Sequence, residues 1–296
     1  MDPAQIAQEI INALSLGALF ALLTLGLALT FGVMRLVNFA YGELLMVGGY
    51  TLFVMRGHSF ALSVIVMMIV VIIVAIVMER VAFRPVRSAD PSTLLVTSLA
   101  VSIFLQNFVI FVFGSQAKSV AVPSVFLESV SIRGVIVTKL AIITIVLAAL
   151  LVGGLTLFLK RTTLGIQMRA AAEDFEMARL LGTRADRVVV TAFIISGILA
   201  GCAAFVVTAQ TGALSPTMGL SLVIVAFVAT VVGGMGSIVG AAVGAFALAS
   251  ASVLMQSRLP QDLLVYRDAF VYLAVICVLL IRPQGLFAGR AGHARP

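Results

Sequence analysis

The sequence predicts an all-α integral membrane protein, a bundle of eight or nine transmembrane helices of which at least one is short or broken. Of the 296 residues, 62% are hydrophobic and only 10% are charged, and the mean hydropathy is +1.21. A soluble domain carries about 25% charged residues. Apolar runs of about 20 residues recur, each long enough to cross a hydrocarbon core of roughly 30 Å. A transmembrane barrel would instead show alternating segments of about 10 residues.

Nine apolar runs can be delimited along the chain. The run 39–55 is short and rich in glycine. We expect a broken or re-entrant helix there, which is tolerated only where protein or a water-filled cavity satisfies its backbone. The run 219–256 is too long for one crossing, and we divide it at "GGMGS". The predicted spans are 10–33, 39–55, 60–79, 92–113, 136–159, 188–209, 219–235, 238–256 and 264–281.

Positive charge predicts the orientation of these spans. Twelve of the 19 Lys and Arg residues lie in 79–87, in 160–187 and in the tail from Arg282. Because Lys and Arg collect in cytoplasmic loops, we expect these three segments and Arg35 on the cytoplasmic side. Nine spans then place the N-terminus on the periplasmic side. The net charge of +7 therefore orients the chain and is no evidence for nucleic-acid binding.

The chain reads as one transmembrane domain, 1–296, without a soluble domain. Its longest hydrophilic stretch, 160–187, is too short to fold alone, and the sequence contains no GxxxxGK[ST] nucleotide-binding loop. We therefore expect no enzyme activity in this chain, and any ATP used must bind another polypeptide. The two histidines, His58 and His293, stand apart from other ligands, so we expect neither a metal site nor a cofactor.

The segment "QMRAAAEDFEMARLLG" (167–182) predicts a single helix that ends at Gly182. Two interpretations fit a helix with one apolar face between membrane spans. It can rest on the bilayer surface, or its apolar face can dock in a groove of a cytoplasmic partner. The apolar stripe is formed by Met168, Ala171, Phe175 and Ala178, and the expected pairs along its sides are Arg169 with Glu173 and Glu176 with Arg179.

Within this segment, "EMARLLG" (176–182) is similar to the Glu-Ala-Ala-x-x-x-Gly loop of ABC-importer permeases, with Met177 in place of one alanine. Three further stretches narrow the resemblance. They are "GLALTFGVMRLVNFAYGELLMVGGY" (26–50), "VVGGMGSIVGAAVGA" (231–245) and "RPQGLF" (282–287). Together they resemble the high-affinity branched-chain amino acid permease family, specifically its LivH-type subunit, in order along nearly the whole chain.

The resemblance implies an importer of the bacterial inner membrane. Such an importer has two permease subunits, the second of them LivM-like, two cytoplasmic ATPases that hold ATP and Mg²⁺, and a periplasmic solute-binding protein. The segment 160–187 then contains the coupling helix that receives motion from the ATPase, and docking is favoured over surface binding. The residues expected at that contact are Glu173, Phe175, Glu176, Ala178, Arg179 and Gly182.

Glycines at four-residue spacing predict close helix packing. Small residues at this spacing let helix backbones approach in a membrane. The alternative is contact with the second permease subunit or a moving seam along the solute pathway. Each half of the chain also holds one glycine-interrupted span, in 39–55 and in 219–244, as expected for an internal repeat whose broken helices line a solute site. The packing glycines are Gly197, Gly201, Gly236, Gly240 and Gly244.

Glu43 is the only acidic residue well inside an apolar run of the sequence. A carboxylate in the bilayer costs a few kcal/mol and usually faces the bundle interior or a cavity. Two interpretations remain open: a structural pin, capping a broken helix or paired with Arg35, and a polar contact in the solute pathway. We expect Asn38 and Tyr41 to be neighbours on another helix face. Further pathway candidates are Gln106, Asn107, Thr97, Ser98, Gln210 and Thr211.

The function predicted from these features is inward movement of a branched-chain or similarly small amino acid, driven by ATP hydrolysis on partner subunits. One alternative is an ABC permease for urea or short amides. The other is an ion-coupled secondary transporter that uses Glu43 as its proton or cation site.

Overall fold

The computed structural model describes residues 3–35, 37–87, 89–120, 122–132 and 134–286. Phe287 of the "RPQGLF" stretch and His293 therefore lie outside the described residues. The helices are α1 (Pro3–Met34), α2 (Tyr41–Val54), α3 (Phe60–Met78), α4 (Arg84–Val86), α5 (Pro91–Phe113), α6 (Lys139–Arg161), α7 (Thr163–Glu173), α8 (Phe175–Leu180), α9 (Ala185–Thr211), α10 (Met218–Gly233), α11 (Ile238–Arg258) and α12 (Arg267–Ile281). The strands are β1 (Lys118–Ser119), β2 (Ser129–Ile132), β3 (Val135–Thr138) and β4 (Ala213–Leu214).

The predicted fold class is confirmed. Within the described part of the chain, seven helices are long and apolar enough to cross a membrane, and α10 is a shorter apolar helix. With α2, there is a helix within each of the nine predicted apolar runs. The strands found in the same residues form two antiparallel pairs, β1 with β4 and β2 with β3, each two to four residues long.

Helix α1 forms the centre of the bundle. It packs against α6, α9, α10 and α11, and side chains such as Leu22 and Leu23 are wholly buried. Helix α9 supplies small buried residues, among them Ala200 and Ala203, which allow neighbouring backbones to approach closely. Helix α12 lies at the periphery, where Val271 is its one buried residue.

The glycines of α9 and α11 lie at close helix contacts. A Cβ added to Gly201 would lie 2.5 Å from the Met68 sulfur, and one added to Gly197 would lie 3.1 Å from the Cβ of Ala75. On α11, Gly240 and Gly244 abut the last turns of α10, since a Cβ on either would lie within 2.5 Å of an α10 carbonyl oxygen. The prediction that Gly236 shares this helix face is wrong. Gly236 lies in the turn before α11, with φ at +94°.

Helices α2 and α10 are short and begin at the same point inside the bundle. At 1.5 Å per residue they are about 21 and 24 Å long, less than a hydrocarbon core of roughly 30 Å. A Cβ added to Gly42 would lie 2.1 Å from the carbonyl oxygen of Gly219. Further along α10, the Phe227 ring lies 6.0 Å from that of Phe39. The two helices therefore meet at their N-terminal turns and leave in opposite directions.

The segments expected in the cytoplasm lie together at one end of the bundle. The Arg35 side chain donates a 2.7 Å hydrogen bond to the carbonyl of Ala172 in α7, and Arg84 pairs with Asp186 of α9 at 3.0 Å. Helix α10 runs towards the same end, where the backbone N–H of Leu286 bonds to its last turn. We call this the basic end; the side of the membrane that it faces remains a prediction.

The opposite end carries the strands. The Gln8 side chain exchanges two hydrogen bonds, of 3.0 and 2.9 Å, with the backbone of Ile136 in β3. Strand β1 pairs with β4 directly after α9. The loop between α5 and α6 is thus fastened to the start of α1 and to the end of α9.

Candidate functional site

Glu43 lies at the junction of α2, α5 and α10 and is wholly buried. Its Oε1 accepts hydrogen bonds from Ser102 Oγ at 2.8 Å and from Gln106 Nε2 at 2.7 Å. Its Oε2 has no hydrogen-bond donor among the described residues and faces α10, because a Cβ on Gly219 would lie 2.8 Å from it. The expected pair with Arg35 is wrong, since that guanidinium bonds to α7 instead.

The meeting of two helix N-termini explains why a carboxylate is placed here. Glu43 is in the first turn of α2 and touches the first turn of α10 through Gly219. Each helix N-terminus carries a partial positive charge of about half an elementary charge. Two such termini in an apolar interior stabilise one carboxylate between them. The arrangement supports the interpretation of Glu43 as a structural pin.

Tyr41 and Asn38 are also buried at this junction. The Tyr41 hydroxyl donates a long hydrogen bond, 3.5 Å, to the carbonyl of Leu22, and its ring presses on Gly26 of α1. Asn38 precedes the first residue of α2, so the expectation that it shares a helix face with Tyr41 is wrong. A 3.2 Å bond from the Tyr41 N–H to the Asn38 carbonyl brings the two residues together instead.

Gln106 and Asn107 point to different surroundings. Gln106 reaches the Glu43 carboxylate. Asn107 is exposed on the outer side of α5 and donates to the carbonyl of Ile103 in its own helix at 2.8 Å. Thr97 and Thr211 bond likewise within their own helices. Of the remaining pathway candidates, Gln210 is exposed and Ser98 is buried.

The predicted single helix over 167–182 is two helices, α7 and α8. The break is at Asp174, whose side chain accepts a 2.9 Å hydrogen bond from the N–H of Met177 and so caps α8. Gly182 follows the last turn with φ at +87°. Its N–H bonds to the Arg179 carbonyl, and the Thr183 N–H bonds to the Ala178 carbonyl, which is the Schellman pattern of a glycine-terminated helix. Gly182 thus ends the segment as the sequence indicates.

The apolar stripe of this segment faces the chain's own bundle. Met168, Ala171 and Ala178 are buried, and Phe175 packs partly buried against the main core. The exposed apolar surface is a different one, formed by Met177, Leu180 and Leu181, and the two leucines are each 81% exposed. We call these three residues the α8 apolar face. The expected ion pairs Arg169–Glu173 and Glu176–Arg179 are not among those that the described residues form.

A second buried carboxylate lies at the basic end. Glu79 begins a π-helical turn, Glu79–Phe83, that follows α3, and its wholly buried side chain pairs with Arg87. Arg87 also pairs with Asp186 at 2.7 Å, and Arg84 pairs with the same carboxylate. This network joins the end of α3 to the start of α9. In the described part of the chain, no three His, Cys, Asp or Glu side chains are grouped to hold a metal ion.

Comparison with known proteins decides the family. The family model described as branched-chain amino acid transport system / permease component matches residues 9–279. The chain belongs to this family. Over 94% of both chains, it is 35% identical to the high-affinity branched-chain amino acid transport system permease protein BraD of Pseudomonas aeruginosa and 33% identical to LivH of Escherichia coli K12. It is also 38% identical over 158 residues, 51% of this chain and 44% of the relative, to the autoinducer 2 import system permease protein LsrC of Klebsiella pneumoniae. No solved structure matches it.

The polar residues of this permease divide into two groups. Glu43, Ser102 and Gln106 form a closed hydrogen-bonded cluster, whereas Asn107 lies outside it. Sequence reasoning missed Ser102. The spacing could have indicated it, because Ser98, Ser102 and Gln106 follow one another at four-residue intervals and so lie on one polar face of α5.

Proposed function

We propose that this chain is a membrane-spanning permease subunit that imports branched-chain amino acids across the inner membrane. ATP and Mg²⁺ are held by two partner ATPases, a LivM-like second permease subunit completes the channel, and a periplasmic binding protein delivers the solute. The observation that carries this proposal is the match to the relatives BraD and LivH, which runs over 94% of each chain. The match to LsrC makes other small solutes the second candidate.

We place the solute pathway along the outer face of α5. An open surface depression of about 580 Å³ lies there, and its volume is in the range of about 300–1,000 Å³ typical of small-molecule sites. Hydroxyl groups of Ser92, Thr93 and Thr97 and apolar side chains such as Phe104 line it. Asn107 is exposed on the same helix. Polar groups on a membrane helix usually face protein or water rather than lipid, which supports the second permease subunit as the other wall.

In this assignment the junction of α2 and α10 supports the pathway without touching solute. Glu43 and Gln106 bond to each other, and Tyr41 and Asn38 are buried against α1 and α2. None of the four is exposed. The cluster therefore fixes the start of α2 beside α5, so that α5 presents a constant surface to the solute.

We infer that the α8 apolar face contacts the ATPase. Phe175 and Ala178 anchor the segment on this chain. The exposed side chains of Glu173, Glu176 and Arg179 surround the α8 apolar face and form no ion pair with another described residue. A Cβ added to Gly182, directly after α8, would have no neighbouring atom of the described chain within 4 Å. The space around Gly182 is therefore open to a partner. A short helix with an exposed apolar face suits the groove-binding mode of recognition.

Reconstitution of the importer tests the transport function. Proteoliposomes that contain both permease subunits and the ATPases, supplied with the binding protein, should take up leucine only when ATP is present. Vanadate should abolish uptake, and a protonophore should leave it intact. Uptake that resists vanadate and collapses with the proton gradient would instead establish the secondary transporter. Competition by urea, short amides or autoinducer 2 against leucine identifies the solute class.

A variant of the α8 apolar face tests coupling separately. Leu180→Ser should insert and fold normally, yet lose most of the ATP hydrolysis that solute stimulates. The matched control is Val265→Ser, which changes an equally exposed apolar residue, 86% exposed, at the opposite end of the bundle. Normal stimulated hydrolysis by Leu180→Ser would place the ATPase contact elsewhere. The variant Gly182→Glu should show the same uncoupling.

A further inference from the structure

A polar pocket opens at the basic end of the bundle, apart from the α5 depression. It borders the proposed ATPase contact, because Gly182, which follows the α8 apolar face, is one of its lining residues. It has a volume of about 610 Å³. The end of α3, the start of α9 and the start of α7 form its walls. Its polar lining includes Arg80, Arg84, Arg184 and Arg187 together with Thr163, Gln167 and Thr191.

The pocket has unpaired positive charge. Its two carboxylates, Glu79 and Asp186, are already paired with Arg87 and Arg84. The side chains of Arg80, Arg184 and Arg187 have no hydrogen bond or ion pair to any described residue, and all three are exposed. An excess of guanidinium groups around one concavity attracts an anion and suits phosphate in particular, because the planar fork of arginine matches phosphate oxygens.

An apolar stripe on α3 ends in the π-helical turn that carries the pocket residue Arg80. Outward-facing side chains recur every four residues along the helix and its π-helical extension, and they are between 50% and 72% exposed. The last of them, Val81, lies beside Arg80 in the chain, and Leu164 and Val190 continue the apolar surface inside the pocket. The stripe consists of Ile69, Ile73, Val77 and Val81.

We propose that this pocket binds the phosphate group of an anionic phospholipid, whose acyl chain lies along the α3 stripe. The unpaired arginines bind the phosphate, and the hydroxyl group of Thr163 and the amide group of Gln167 donate further hydrogen bonds. Basic pockets between transmembrane helices are typical sites for anionic lipid head groups. The chemistry recognised is a phosphate ester. The adjoining stripe favours a lipid over a soluble phosphate, because an acyl chain can cover this apolar surface and a small soluble phosphate cannot.

Lipid titration of the purified full-length permease tests the site. Native mass spectrometry should show binding of phosphatidylglycerol that is at least tenfold tighter than binding of phosphatidylcholine. The double variant Arg80→Gln, Arg187→Gln should weaken phosphatidylglycerol binding by about fivefold for each arginine removed. The matched control is Arg56→Gln, which removes an exposed arginine that lies over the Phe53 ring at the opposite end and should keep the preference.

Several outcomes separate the sources and refute the site. If inorganic phosphate competes as strongly as phosphatidylglycerol, the pocket binds a soluble phosphate and the lipid proposal is overturned. Equal binding of the two lipids, or unchanged lipid binding by the double variant, refutes the phosphate site altogether. If the double variant keeps the lipid but loses the ATPases, the arginines bind an acidic protein surface and the proposal fails. If the double variant does not fold, Arg184→Gln alone, at an exposed position that precedes α9, must show the fivefold loss.

Discussion

Glu43 and Glu79 are both wholly buried carboxylates, but the chain compensates their charge in different ways. Glu43, deep in the bundle, receives neutral donors from Ser102 and Gln106 and lies between two helix N-termini. Glu79, at the basic end, pairs with a full positive charge on Arg87. The difference follows from the position of each residue along the bundle.

A cation costs more to bury deep in a bilayer than at its edge. Arg87 is 15% exposed and reaches water and the exposed Asp186, so its charge is only partly desolvated. Glu43 is wholly buried, so a cation beside it would be fully desolvated. Two helix N-termini and the side chains of Ser102 and Gln106 supply partial positive charge there without a second buried ion. Fixed dipoles thus compensate the deep carboxylate, whereas an ion pair compensates the one near the end.

Removal of Arg87 should have the largest effect on stability. The variant Arg87→Ala leaves Glu79 buried without a positive partner, and loss of one member of a buried pair costs about 3 kcal/mol or more. Unfolding of the purified protein in a denaturing detergent titration should show this decrease. A decrease below about 1 kcal/mol would mean that Glu79 does not depend on Arg87, and the contrast with Glu43 would fail.

A methyl group at Gly219 should have the next largest effect. It would lie 2.7 Å from the Gly42 backbone and 2.8 Å from Glu43 Oε2, and such overpacking typically costs about 1–3 kcal/mol. The measurement is the free energy of unfolding of Gly219→Ala. The matched control is Gly153→Ala in α6, where a Cβ has nothing within 4 Å and should cause no loss. Equal stability of the two variants would contradict the close contact of α2 with α10.

The isosteric change Glu43→Gln should have a smaller effect. It keeps an oxygen that accepts from Ser102 and Gln106 but removes the charge that two helix termini stabilise, so we expect a loss of about 1 kcal/mol. Transport per folded complex should remain close to that of the unmodified protein. Intact assembly with lost transport would instead place Glu43 in the solute pathway. Unchanged or raised stability would show that the helix termini do not compensate a charge here.

The smallest effect is expected for Arg84→Ala. Arg84 and Asp186 are both more than half exposed, and exposed ion pairs contribute about 0.2–1 kcal/mol. Both arginines bond to Asp186, but only Arg87 bonds to Glu79. The difference between the unfolding free energies of Arg84→Ala and Arg87→Ala therefore reports the contribution of the buried Glu79 pair. Similar losses in the two variants would indicate that Asp186, not Glu79, governs this network.

Hydrophobic length was sufficient to predict the spans, because a membrane helix must be apolar over a fixed distance. The family resemblance was confirmed over 94% of the chain. The helix break at Asp174 was not predicted, since the residues around it favour a helix and only its capping bond reveals it. The direction of the apolar stripe also escaped prediction. A pattern shows that Met168 and Ala178 share a face but not whether that face packs inward or outward.

The surroundings of Glu43 were partly predictable. Its role as a pin on a short helix was one of two interpretations open from the sequence, and burial favours it. The expected partner Arg35 was wrong, because the donors to Glu43 come from α5, about 60 residues along the chain, and sequence proximity does not reveal such a contact. Asn38 was misplaced for a related reason. Phe39 and Ala40 before α2 form a turn and not a helix, and no residue pattern fixes the first residue of a helix that begins deep inside a bundle.

The contact of Gly42 with Gly219 also has a mechanical consequence. Backbone touches backbone there, so no rotamer change can absorb a displacement of one helix against the other. Helix α10 is about 24 Å long, and Leu286 of the tail is hydrogen-bonded to its last turn. We therefore expect a displacement of that end of α10 to move the start of α2 as well, because the two backbones have no intervening side chain that could adjust.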